Sequence, residues 1–202
     1  KRLSAAKSYS YVKPSIFYKQ ISNVEFSKIE GRLDQFKGFF IQPRTVRAYS
    51  YPAISNALGY ISEISKRELE RDSANYYQQG DYIGKSGLES YYETYLRGRR
   101  GKKFKIRNVR GVEQGKFKEG RFDTLAIPGQ TLKSTIDLEL QLYGEKLMAN
   151  KAGSVIAIEP STGEILSIIS APTYNPTDLS GRLFSENFNQ ISSDTNKPLF
   201  NR

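Results

Sequence analysis

The feature that most constrains this chain lies toward its end, where two apolar runs, VIAI (155–158) and ILSII (165–169), flank Pro160-Ser-Thr-Gly163. Short apolar runs bounded by turn residues predict two strands, over 154–159 and 164–170, closed as a hairpin. Nearly every position is apolar, not every second one, so both faces of the hairpin should be covered by other elements. Before it, Asp137 is placed to cap a helix that ends near Asn150, with Ile136, Leu140, Tyr143 and Leu147 on one face and Leu138 and Leu142 beside them. Thr131 to Ile136 alternates like a strand.

Composition narrows the chemistry. The 202 residues contain no cysteine and no histidine. That excludes disulfides, thiolate nucleophiles, Ser-His-Asp and Cys-His arrangements and most zinc sites, and it calls for no metal or cofactor. Any reaction would run on carboxylates, Lys, Tyr or Ser. No segment reaches the roughly 18 apolar residues of a membrane span, and the opening KRLSAAKSYSYVKP carries no signal pattern. The length suits one large or two small domains. Of the net charge of +10, nearly all arises between Arg97 and Arg121, where eleven Lys or Arg face Glu113 and Glu119.

Along the first half, the initial dozen residues read as a frayed end and Lys13 to Ile21 as a short strand. Ser22 with Glu25, and Ser65 with Glu68, are capping boxes that each open a helix, the first running to about Gly38 and the second to about Asp72. Phe39 to Tyr49 reads as extended around Pro43. PAISNALG, from Pro52, is a short helical piece before a strand at Gly59-Tyr60-Ile61. Ser86 with Glu89 predicts a third box, followed by Leu88, Tyr91, Tyr92, Tyr95 and Leu96 at helical spacing, a Glu93–Arg97 pair and a stop at Gly98. The preceding Gly80 to Ser86 nearly matches a phosphate-binding loop, but it is one residue short and SANYYQQ is no hydrophobic strand, so the capped helix start is preferred.

In the basic run, Phe104 and Ile106 alternate with Lys103, Lys105 and Arg107 as a half-buried strand would, with a hairpin turn at Glu113-Gln-Gly115-Lys116. Arg97–Arg121 could be a basic ribbon for nucleic acid or another polyanion, with Phe104, Phe117 and Phe122 to stack on bases. A solvated hairpin is the preferred alternative, because no RNA-binding motif surrounds it. Contact with anionic lipid head groups is a third.

Three segments in order resemble class B penicillin-binding proteins. Arg47, Tyr49, Tyr51-Pro52 and Gly59-Tyr60 follow one motif, departing from it at Ala53 for Gly and Asn56 for His. Gly84, Gly87, Leu88, Glu89, Tyr92, Glu93, Leu96 and Gly98 follow the next. Pro128-Gly129, Thr135, Asp137, Leu140-Gln141, Gly153-Ser154, Glu159-Pro160, Thr162-Gly163, Ser170, Pro172 and Tyr174-Asn175-Pro176 follow the opening of that family's transpeptidase domain. Pro198 to Arg202 is similar to its elongation-type members.

The resemblance implies an α+β chain in two parts. Residues 1–127 would be an elongated, non-catalytic pedestal of small helices and antiparallel ribbons. Residues 128–202 would be the first helix and β-hairpin of a transpeptidase domain, truncated before its Ser-x-x-Lys. The parent would be a D,D-transpeptidase that cross-links peptidoglycan stem peptides and binds β-lactams. It would lie on the periplasmic side of the inner membrane, anchored by an N-terminal segment preceding Lys1. It would contact a membrane glycosyltransferase and elongation scaffold proteins, and the open sheet edge could support a dimer.

Copies of the family's catalytic patterns do occur, at Ser4-Ala-Ala-Lys7, Ser73-Ala-Asn75 and Lys85-Ser86-Gly87. They are rejected as chance matches in a Ser- and Lys-rich chain, which leaves no catalytic residue here. Glu89 keeps two readings. It closes the Ser86 box, or, as the resemblance implies, it pairs with Arg47.

Overall fold

A computed structural model describes residues 4, 15–42, 47–110 and 113–202. Expectations for the frayed start, for Pro43 and for the bend around it lie outside these residues. The chain divides into two compact units that interleave in sequence: Lys1–Thr45 with Arg99–Ile127, and Val46–Gly98 with Pro128–Arg202. The architecture is mixed helix and small antiparallel sheet, as the α+β reading requires.

In the first unit, α1 (Asn23–Glu30) opens on a complete Ser22–Glu25 capping box and a single 3-10 turn, Leu33–Gln35, follows it. Residues 15–21 contain no strand, so the extension expected there is absent from its described part. Strands β1 (Lys105–Arg107) and β2 (Glu113–Lys116) pair antiparallel. Glu113 to Lys116, expected as the turn, is therefore the second strand, and the reversal lies earlier. The half-burial expected of the ribbon is absent too: every described residue from 99 to 119 is exposed. No described residue of this unit is buried. Its apolar contacts are ring pairs, Phe17–Phe39 at 5.1 Å and Phe36–Phe39 at 6.3 Å.

The second unit holds the core. Helix α2 (Ser55–Leu58) leads into β3 (Ile61–Glu63), then α3 (Lys66–Arg71), and β4 (Tyr82–Gly84) pairs back on β3. Two short helices follow, α4 (Gly87–Tyr91) and α5 (Glu93–Leu96), broken at Tyr92 where a single three-turn helix was expected. The break follows from a change of partners. Glu93 accepts from the Tyr77 hydroxyl at 2.6 Å and from the Gly84 amide at 2.9 Å, while the Arg97 guanidinium lies 4.0 Å over the Tyr76 ring. Burial, then the Glu93 carboxylate, pushes the Tyr77 hydroxyl up to about 12. Tyr91 is 80 % exposed, so the aromatic stripe does not face inward as a whole.

After Pro128, Asp137 caps α6 (Leu138–Leu147) by accepting from the Leu140 amide at 3.0 Å. No strand forms over 131–136; Thr135 and Asp137 instead donate to the carbonyls of Ile165 and Leu166. The face of α6 turned inward carries Leu138, Gln141, Leu142, Glu145 and Met148. Leu140, Tyr143 and Leu147, expected on that face, are exposed. Strands β5 (Gly153–Ile158) and β6 (Ile165–Ala171) form the hairpin, and α7 (Phe184–Ser193) follows. Strand β6 is buried at Ser167 and from Ile169 to Ala171, but Val155, Ile156 and Ile158 of β5 are exposed among the described residues. Full coverage of both strands is thus not found.

Helix α3 and the segment after β4 are tied together electrostatically. Ser65 and Glu68 form the capping box, and the Lys85 ammonium also donates to Glu68. The Lys85 bond first, then the Ser65 hydroxyl, hold the Glu68 carboxyl at about 2, below its ordinary 4.5. A depressed carboxylate stabilises the fold above pH 4.5 and loses that contribution as pH falls toward 2. Because the Glu68 side chain is 35 % exposed, the screened contribution is about 1 kcal/mol. Acid unfolding of Glu68→Gln, followed by circular dichroism, should therefore show a flatter stability profile between pH 4.5 and 2 than the parent chain.

Candidate functional site

The elements of the second unit converge on the short stretch from Ala53 to Tyr60. Its backbone lies against the start of α4 so closely that side chains are excluded. A Cβ on Gly59 would meet the Ser86 carbonyl oxygen at 2.0 Å, and one on Gly87 the Ala57 carbonyl oxygen at 2.3 Å. Both glycines also have positive φ, 79° and 58°, a region where a β-carbon is strained. Gly84 is packed as tightly, against the Glu89 carbonyl.

Glu89 lies on this contact, only 7 % exposed. Ser86 gives α4 no side-chain cap, so the expected third capping box does not form. Instead the Glu89 carboxylate pairs with the Arg47 guanidinium at 2.7 Å. The Tyr49 hydroxyl is buried with no hydrogen-bond partner among the described residues; burial first, then the Glu89 charge, raises its pKa above the usual value.

A second polar set fastens Ile54 and Ser55 to the C-terminal elements. Gln141 has 0 % exposure, and its amide makes every hydrogen bond open to it. The nitrogen donates to Glu145 Oε1 and to the Ile168 carbonyl, each at 2.8 Å. The oxygen accepts from the Ser167 hydroxyl and the Ile168 amide, each at 2.9 Å. Glu145 Oε1 in turn accepts from the Ile54 amide at 2.8 Å. Ile54 sits at φ 63°, costly for a β-branched residue, and this bond helps hold it there. Ser55 and Tyr174 exchange bonds, each hydroxyl donating to the other's carbonyl, at 2.5 and 3.0 Å. Burial raises the Tyr174 hydroxyl well above its ordinary range.

Asn56 completes the joint. Its amide nitrogen donates to the Pro198 and Phe200 carbonyls at 3.1 Å each, and its oxygen accepts from Thr173 at 2.9 Å. The Arg202 amide donates to Ser170 Oγ of β6 at 2.9 Å. Tyr60 packs on Phe184 and Phe188 of α7 at 5.9 and 5.5 Å.

Of the residues singled out in the sequence, Arg47 and Glu89 meet directly, with Tyr49 beside them. Gly59, Gly84 and Gly87 set the close backbone packing, Tyr60 joins α7, and Gln141 is the polar centre. Gly98 ends α5 at φ 69°, and Asp137 caps α6. Pro160 and Gly163 form the β5–β6 turn, apart from the joint. Sequence reasoning missed Ser55, Glu145 and Ser167 as participants. Gln141 and Glu145, four apart on one helix, were the available signal for Glu145; Ser55 and Ser167 offered none.

As chemistry, the arrangement is a clamp. Lys85, within one rejected catalytic copy, is bound to Glu68, and Lys7 lies outside the described residues. Among the described residues no group of three His, Cys, Asp or Glu could hold a metal. A cleft lined by Ile54, Asn56, Glu145, Thr173 and Asn201 encloses a cavity of only ≈ 10 Å³, far below the roughly 300–1,000 Å³ of ordinary small-molecule sites.

Residues 1–134 match the family described as Penicillin-binding Protein dimerisation domain. Peptidoglycan D,D-transpeptidase MrdA of Salmonella typhimurium (strain SL1344) is 30 % identical over 203 residues, 98 % of this chain and 32 % of the relative. The chain thus spans about a third of the length of the curated relatives it matches. A solved complex between Penicillin-Binding Protein (PBP2) and MreC from Helicobacter pylori is similar with a TM-score of 0.75 and 28 % identity, over 90 % of this chain and 33 % of that one. A structure of a peptidoglycan synthase complex, described as coordinating polymerization and crosslinking, gives 0.65 and 25 %, over 99 % and 37 %.

Burial makes the Arg47–Glu89 pair asymmetric. Arg47→Ala strands a carboxylate whose side chain is 9 % exposed, whereas Glu89→Gln leaves a guanidinium that is 40 % exposed and can hydrate. Urea unfolding should show a loss of about 3 kcal/mol for Arg47→Ala, about 1–2 kcal/mol for Glu89→Gln, and a double variant less destabilised than their sum. Additive losses would exclude the pair.

Proposed function

The chain belongs to the penicillin-binding proteins that carry the dimerisation domain, and from that premise we propose that it is the pedestal and the opening of the transpeptidase domain of a peptidoglycan D,D-transpeptidase. On this reading residues 1–127 are pedestal and residues 128–202 begin the catalytic domain. The enzyme's reaction, cross-linking stem peptides with acylation by β-lactams as its counterpart, uses a serine that these 202 residues do not supply. Their own role is to position and to bind partners. A scaffold protein and a glycosyltransferase are the partners proposed, since one similar structure is a complex with MreC and another a peptidoglycan synthase complex. The location proposed is the cell envelope, on the periplasmic side of the inner membrane.

The observation that carries this reading is the grip of Asn56 on Pro198 and Phe200. In the family pattern the reactive serine follows the Asn-Arg pair by a short distance, here Asn201-Arg202. A pedestal side chain therefore fixes the segment that delivers the nucleophile, and Ser170 on β6 holds its other side. The edge of β5 that faces away from β6 has no strand partner among the described residues, and the rest of that sheet would dock there.

Incubation of the 202-residue chain with a fluorescent penicillin should give no covalent labelling, and stoichiometric labelling of any serine would overturn the proposal. In the full-length enzyme, Asn56→Ala should slow acylation by about tenfold with little change in the midpoint of unfolding, since two hydrogen bonds that orient the approach to the serine are lost.

A further inference from the structure

The ribbon of the first unit has two chemically different sides, and neither is covered among the described residues. In its register Lys105 stands opposite Lys116, and Ile106 opposite Gly115. The Phe117 amide donates to the Phe104 carbonyl, extending the pairing by one position. Side chains directly opposed across a ladder share a face, and successive residues alternate. One side therefore carries Phe104, Ile106 and Phe117, and the other Lys103, Lys105 and Lys116 with, past a bulge, Arg107 opposite Glu113. Phe122 joins the apolar side through its 5.8 Å contact with Phe117, and the Lys118 ammonium lies 5.6 and 5.4 Å from those two rings. Beyond the strands Val109 is fully exposed, with Arg107 and Arg110 on either side.

Such a ribbon is poorly arranged for water alone. A lone two-stranded hairpin is marginally stable, and opposing Lys105 and Lys116 repel across the ladder. Lys105 is answered by Glu113 at 2.8 Å, but ten Lys or Arg lie between Arg99 and Arg121 against two Glu. Lys103, Arg107 and Lys116 are exposed on the ribbon, and an external anion would complement that field. The uncovered apolar groups then decide which anion. Ile106, Val109 and Leu125 are aliphatic and exposed, so they offer bases no π-face to stack on. A bilayer surface rewards both halves: phosphate head groups pair with Lys and Arg, and the acyl boundary accepts Val, Ile and Phe.

We propose that the ribbon from Arg99 to Arg121 is a membrane-surface contact that binds anionic phospholipid head groups, with Ile106, Val109 and the Phe117–Phe122 pair entering the acyl boundary. The site is independent of the clamp in the second unit, so its failure would leave the preceding proposal standing.

Flotation of the 202-residue chain with vesicles tests it directly. Binding is expected to vesicles containing phosphatidylglycerol and not to pure phosphatidylcholine. The exposed charges can be removed without touching packing: Lys103→Gln, Arg107→Gln and Lys116→Gln together should weaken binding about a hundredfold, roughly fivefold per charge. Ile106→Gln with Val109→Asn keeps the net charge and should cost roughly tenfold, with unchanged circular dichroism in both variants. Equal binding to phosphatidylcholine, an unaffected triple variant, displacement by inorganic phosphate, or binding to duplex DNA without binding to vesicles would each overturn it.

Discussion

A fully buried amide must find four partners or destabilise the fold that buries it, and Gln141 finds all four. The rest of the second unit is arranged around that requirement. Two of the bonds are made with the Ile168 backbone, so the register of α6 on β6 cannot slip by a residue without orphaning the side chain. A third passes to Glu145, whose oxygen reaches the Ile54 amide from a segment 91 residues earlier. Hydrophobic contact alone would allow several nearby packings; the hydrogen bonds select one.

From that anchor the polar joint spreads along consecutive residues. Ile54, Ser55 and Asn56 each bind a different C-terminal partner, namely Glu145, Tyr174, and the pair Pro198 and Phe200. The glycines at 59 and 87 let the backbone of residues 57–59 lie directly against Ser86 and Gly87, and the Arg47–Glu89 pair reaches into the same helix start. Few large apolar side chains are buried here. Leu179 is fully enclosed, but Ser55, Gln141 and Ser167 are among the other most deeply buried groups. The joint is specified by direction more than by area.

What the sequence made legible was local. Ser22 with Glu25 and Ser65 with Glu68 form the boxes their spacing predicts, because both partners lie within one helical turn. The same spacing at Ser86 and Glu89 gives no box: the Glu89 carboxylate is held instead by Arg47, 42 residues away. The resemblance had offered that pair; periodicity could not. Helix α6 was legible in place and in its Asp137 cap but not in its orientation. Counting apolar residues favours the side with Leu140, Tyr143 and Leu147, whereas the inward side is chosen by Gln141 and Glu145. The alternation around Phe104 and Ile106 gave the first strand correctly, but its partner lies where the turn was expected and its burial is absent, since period two states which residues share a side and nothing about what lies against it.

The stretch from residue 99 to 127 is closed on itself at its two ends. On the first unit's side, Arg99 and Ile127 bond backbone to backbone. On the second unit's side, the Gln130 amide reaches the Tyr95 carbonyl at 2.9 Å and Gly129 presses on Leu96. When the mouth of an excursion is already zipped, its contour length adds only a slowly growing closure entropy. Lineages could therefore lengthen, shorten or recharge this excursion while the clamp stays intact, which makes it the natural place for related chains to diverge in what they touch.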